Sequence, residues 1–148
     1  MTFRYPRINI LNLKEKEKNL AFAEFGLIAK KKDVMTEELD SYIQERDERI
    51  IHWEQTNGLT SIAEILQRNQ YMESLNLKIS KAKIGLDRVE EELQVKQTHF
   101  LDKKKDEQMW QHLRDKSYDT YIQKEKKEEQ DRLDEMATMR HYQQRYSS

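Results

Sequence analysis

The chain has 148 residues, of which 37% are charged and 36% apolar, with three glycines, one proline and no cysteine. Its 27 basic and 28 acidic side chains leave a charge of −1, so no global field draws in nucleic acid or an anionic lipid surface. Without cysteine there are no disulfides and no thiolate metal ligands, no apolar run approaches the ~20 residues of a membrane span, and the N-terminus lacks the apolar core of a signal peptide.

So few helix breakers among so much Glu, Lys, Gln and Leu point to long helices. The apolar residues suffice for a narrow seam between two helices rather than a sizeable core. The expected fold is all-α: a long antiparallel two-helix coiled coil forming a single domain over 1–148, with no direct membrane insertion.

Thr2 to Pro6 is a short lead-in, with Pro6 tolerable in a first helical turn. Helix 1 is expected over about 6–55. Leu11, Ala21, Phe25, Ile28, Met35, Leu39, Tyr42 and Trp53 recur at spacings of three and four, interrupted by Lys18, Lys32, Arg46 and Arg49. Gly26 within this run is read as tolerated, at roughly 1 kcal/mol against alanine.

A bend is expected over about 56–60. Asn57-Gly58 is a left-handed stop signal, and Ser61-Ile62-Ala63-Glu64 has the form of a capping box. Helix 2 then runs over about 61–145. Its seam is Ile65, Met72, Leu75, Ile79, Ala82, Leu86, Val89, Leu93 and Phe100, broken at Arg68 and Lys96, and this repeat implies a left-handed supercoil.

Charge supports antiparallel pairing. Residues 33–57 hold eight acids against two arginines and are expected to face 61–83, which is net basic. Residues 14–32, net basic, are expected to face the net acidic 84–102. Helix 1 would then cover helix 2 only to about Arg114, leaving 115–148 as an overhang. Gln123 to Arg132 contains no apolar residue, after which Leu133, Met136, Ala137 and Arg140 return to helical spacing. That stripe reads either as a docking surface or as packing against Phe3, Tyr5 and Ile8.

No residues point to catalysis or to a cofactor. There is no phosphate-binding G-x-x-x-x-G-K-[ST] loop, and His52, His99, His112 and His141 lack the i, i+4 spacing of a helical metal pair. Glu90-Glu91-Glu92 would sit on a rod without a pocket to separate their pKa values. Lys30-Lys31-Lys32 and Lys103-Lys104-Lys105, which suit phosphate contacts, have acids close by. The residues alone leave open an assembly stalk, a nucleic-acid-binding hairpin and a generic scaffold or chaperone without an ATPase partner; the balanced charge argues against the second.

Four ordered segments resemble the FliJ family, the coiled-coil component of the flagellar type III export apparatus. They are Leu13-Lys14-Glu15-Lys16-Glu17-Lys18 leading to Phe25-Gly26; Asn57-Gly58 with Tyr71 and Leu75; Met109-Trp110-Gln111-His112-Leu113-Arg114-Asp115; and Leu133-Asp134-Glu135-Met136-Ala137. The resemblance implies a stalk-like, non-enzymatic hairpin that docks in the hexameric ring of a FliI-type export ATPase and promotes its assembly and activity. It also implies contact with a FlhA-type export gate protein and escort of export chaperones, in the cytoplasm at the inner face of the cell membrane. An injectisome-type secretion stalk is the close alternative.

By position, the resemblance assigns gate contact to Tyr42, Tyr71 and Leu75. It assigns ring contact, at the helix-terminal end, to Trp110, Leu113, Leu133, Asp134, Glu135 and Met136. Lys78 and Ala82 stand where the family has an alanine and a histidine, and Glu45 and Arg49 where it has tyrosines.

Overall fold

The computed structural model describes residues 2–56 and 61–146. Two α-helices account for almost all of them: α1, Ile8–Gln55, and α2, Ile62–Tyr146. The expected stop at Asn57 and Gly58 lies outside the described residues.

The helix ends follow local chemistry. Pro6 and Arg7 form a turn before α1, and the Ile8 amide donates to the Tyr5 carbonyl at 3.2 Å. At the other end of α1, the Thr56 amide and hydroxyl both donate to the His52 carbonyl, at 3.1 and 3.0 Å. At the start of α2 the Glu64 amide donates to Ser61 Oγ at 3.2 Å, the serine half of the expected capping box.

The described residues divide into two units, one of 19–102 and a terminal one of 1–18 with 103–148. In the 19–102 unit the helices run antiparallel. Phe22 and Phe25 meet Phe100, with ring centroids 5.2 and 6.3 Å apart. Further along, Glu24 pairs with Lys96, Lys32 with Glu90, and Trp53 meets Tyr71. Leu39, Leu75 and Ile79 form the core cluster, covered by Tyr42, Ile43, Tyr71, Ala82 and Leu86, and Ala21 and Val89 are also buried.

The terminal unit is antiparallel as well, but one apolar side chain there, Leu11, is buried. Its contacts are ionic and aromatic. Lys14 Nζ lies 2.9 Å from Asp106 Oδ2, Lys18 Nζ 3.0 Å from Glu107 Oε2, and Lys103 Nζ 3.4 Å from Glu17 Oε2. Phe3 packs on Tyr118 and Tyr121, both at 5.3 Å.

Most interruptions of the seam are part of it. Lys18, Lys32, Arg46, Arg68 and Lys96 are half-buried, whereas Arg49 is exposed and the adjacent Ile50 is half-buried in its place. Lys14, outside the expected seam, occupies it too. Ile65, expected in the seam, is exposed. Trp53, in the last turn of α1, faces Arg68 and Tyr71, so Ile65 stands at the last turn of the pairing, at the edge of an open groove with Ile50, Trp53 and Glu54.

Tyr71 meets Glu45 and Leu39 packs with Leu75 and Ile79, as the expected facing of 33–57 with 61–83 requires. Toward the termini the side chains reach about one helical turn further than expected: Lys14, expected opposite about 102, reaches Asp106, and Phe3 reaches Tyr121, beyond the expected limit of about Arg114. The cause is side-chain direction. Helical side chains lean toward the N-terminus, each covering a point about one residue back. In an antiparallel pair the two displacements add, and long Lys, Glu and aromatic side chains enlarge them. Phe3 extends the reach further, because an extended lead-in advances ~3.3 Å per residue against 1.5 Å in a helix.

Two glycines lie inside the helices, in different surroundings. A Cβ at Gly26 would meet nothing within 4 Å, in keeping with simple tolerance. A Cβ at Gly85 would stand 3.0 Å from Met35 Cε, so Met35 occupies the space that a side chain would need.

Candidate functional site

The structure brings Tyr42, Tyr71 and Leu75 into one cluster in the 19–102 unit. Leu75 is 3% exposed and sits in the seam beneath the two tyrosines, so it supports the surface rather than presenting itself. Tyr42 and Tyr71 are half-buried. Tyr42 Oη donates to Glu38 Oε1 at 2.9 Å, and Tyr71 Oη donates to Glu45 across the helix pair. These carboxylate bonds stabilise the neutral phenols and hold both above the ordinary tyrosine value.

Cations lie over the aromatic faces. The Arg49 guanidinium is 5.5 Å from the Tyr71 ring centre, Arg68 is 5.4 Å from that of Trp53, and Lys78 Nζ is 6.0 Å from that of Tyr42. Trp53 meets Tyr71 edge-on at 6.2 Å. Two shallow grooves result. One, of about 290 Å³, is lined by Met35, Glu38, Tyr42, Lys78, Lys81 and Ala82. The other, of about 280 Å³, is lined by Arg49, Trp53, Gln67, Arg68 and Tyr71.

The two tyrosines therefore share a core but open into different grooves. Trp53 and Arg68, which the site expectation left out, complete the second groove. The signal was an aromatic and a cation at facing seam positions near the ends of the two helices.

The residues assigned to the helix-terminal end separate into two places. Trp110 is half-buried and Leu113 exposed, in the part of α2 bracketed by Lys14–Asp106 and Phe3–Tyr118. They lie in the paired stretch, ~30 Å along the helix from Leu133. Leu133, Asp134, Glu135 and Met136 lie in a segment where every residue from 123 to 146 is exposed, with Leu133 at 54% and Met136 at 52%. The alternative packing of this stripe on Phe3 does not occur, because Phe3 is engaged with Tyr118 and Tyr121. No helix among the described residues is long and apolar enough to cross a membrane.

The family described as Flagellar FliJ protein matches residues 8–146. Among solved structures, a YscO homologue, CT670 of Chlamydia trachomatis, is similar in fold, with a TM-score of 0.57 and 19% identity over 99% of this chain and 100% of that one. No curated protein matches. With α1 and α2 falling almost whole within the match, the chain belongs to the FliJ family and is a component of a type III export apparatus.

Proposed function

We propose that this protein is a non-enzymatic, cytoplasmic stalk of the export apparatus, held at the inner face of the cell membrane by its partners. The terminal part of α2 enters the hexameric ring of a FliI-type ATPase through Leu133, Asp134, Glu135 and Met136, and promotes ring assembly and hydrolysis. Trp110 and Leu113 offer a secondary contact further back. Tyr42 and Tyr71, seated on Leu75, engage a FlhA-type gate protein, and the protein also escorts export chaperones.

One observation carries this reading. In a FliJ-family chain, α2 runs on as helix through 123–146 with every residue exposed and an apolar stripe at Leu133 and Met136. A helix face of that kind suits insertion between other chains.

The test is ATP hydrolysis by the cognate ATPase with and without this protein. Stimulation is expected, and the variant Leu133→Asp with Met136→Asp should lose it while keeping its helical circular dichroism. Absence of both stimulation and co-purification would remove the ring-docking reading. A second reading, a stalk of an injectisome-type system, is favoured by the fold shared with the YscO homologue. The identity of the ATPase that co-purifies separates the two.

A further inference from the structure

The seam of α2 that faces α1 has a strict frame. Residues 96, 100, 103, 107, 110, 117 and 121 are half-buried at spacings of three and four, or seven where exposed Arg114 intervenes. Continued beyond Tyr121, the same frame falls on Lys124, Glu128, Asp131 and Glu135, all exposed and charged. Leu133 and Met136 belong to a displaced frame, shared with Lys126, Glu129, Arg140 and Gln143. The terminal stripe is thus not a continuation of the α1 seam. It is a second seam, suited to another helix.

That helix needs a particular pattern. It must present apolar side chains opposite Leu133 and Met136, a base opposite Glu129 and an acid opposite Arg140. None of the ion pairs among the described residues involves a residue beyond Glu107, so neither charge is committed elsewhere. In the terminal unit, antiparallel helices already join by reciprocal pairs of opposite charge, Lys14 with Asp106 and Glu17 with Lys103.

We infer that the terminal segment of α2 binds the same segment of a second copy, antiparallel, about a two-fold axis between Asp134 and Glu135. In that register Leu133 of one copy meets Met136 of the other, Glu129 meets Arg140, and Lys126 meets Gln143, each layer occurring twice. An isologous contact repeats every favourable layer, so a short seam gains from its symmetry. The pair is a reversible storage form that covers the apolar stripe. It uses the same surface proposed above for the ATPase, so the two associations exclude one another. The inference is tested on the isolated protein and stands or falls apart from the ring.

Sedimentation velocity of the full chain between roughly 10 and 100 µM should show a species of twice 18.0 kDa at ~0.1 M salt. It should weaken at about 1 M, where the Debye length falls to ~3 Å. Glu129→Arg alone and Arg140→Glu alone should each weaken the dimer about tenfold or more, since like charges then meet in two layers. The double variant, carrying both changes, should restore it, and a mixture of the two single variants should form mixed dimers. Circular dichroism checks that all remain helical. A monomer throughout the concentration range overturns the inference. So do neutral single variants, as a parallel pair would give, or failure of the double variant to recover.

Discussion

The 19–102 unit and the terminal unit are built from the same two helices by different means. In the former, Ala21, Leu39, Leu75, Ile79 and Val89 are buried, and the cross-helix pairs Lys32–Glu90 and Lys96–Glu24 accompany this apolar core. In the latter, Leu11 is the buried apolar residue, and lysines from both helices reach carboxylates opposite, with Phe3 laid across Tyr118 and Tyr121. Apolar burial is non-directional and strong, each large side chain contributing roughly 1.5–3 kcal/mol. Solvated ion pairs contribute ~0–1 kcal/mol each but depend on register. One region therefore supplies most of the cohesion, and the other supplies alignment at little gain in stability.

The comparison breaks most visibly at Leu75. Leu75→Ala removes the best-buried large side chain of the core cluster and should lower stability by about 2–3 kcal/mol, read as a shifted midpoint in urea. Hydrogen exchange should quicken through the 19–102 unit. A shift below ~0.5 kcal/mol would mean that the apolar seam does not dominate.

A smaller effect is expected from Phe3→Ala. It removes two aromatic contacts, each worth ~0.5–1.5 kcal/mol beyond area. Amides near Tyr118 and Tyr121 should exchange faster while those around Leu75 keep their protection. Equal acceleration in both places would show that the two regions do not open separately.

The smallest effect is at alkaline pH. Lys14 has its ammonium held above the ordinary 10.5, chiefly by its hydrogen bond to Asp106. Tyr71 and Tyr42 are likewise held above the ordinary 10.0 by Glu45 and Glu38. Each raised group gives its full contribution below its ordinary value and loses it as the pH climbs through the raised one. Melting temperature should be flat from neutral pH to about 10 and then decline. Lys14→Met should remove the lysine's share of that decline, and an unchanged profile in that variant would deny the pair a role.

Much of this was legible in the sequence because a two-helix seam is a one-dimensional pattern. Leu39, Leu75, Ile79 and Val89 occupy it, and so do the interrupting cations Lys18, Lys32 and Lys96, because a lysine stem packs along apolar surface while its head reaches out to an acid. Ser61 and Glu64 marked the start of α2 correctly. Pairing blocks of charge gave the facing of the helices but not the individual contacts, because blocks of twenty residues stay complementary over a shift of four. The reach of Phe3 was hidden for another reason: an extended lead-in has no periodicity to read. For the tyrosine site, heights along the helices were inferable, but the separation of Tyr42 and Tyr71 into two grooves depends on where Lys78, Arg49 and Arg68 lay their side chains.

The displaced frame after Tyr121 has a further consequence. Zipping two helices together stops where either one ceases to offer matching positions, and here it is α2 that stops offering them. A chain with a longer first helix would gain no apolar seam, since the added residues would meet Lys124, Glu128 and Asp131 with no large apolar side chain between them in that frame. The extent of the hairpin is thus written into its second helix as an end mark: residues inserted ahead of Phe3 leave it unchanged, whereas loss of Phe3 gives up the contacts with Tyr118 and Tyr121.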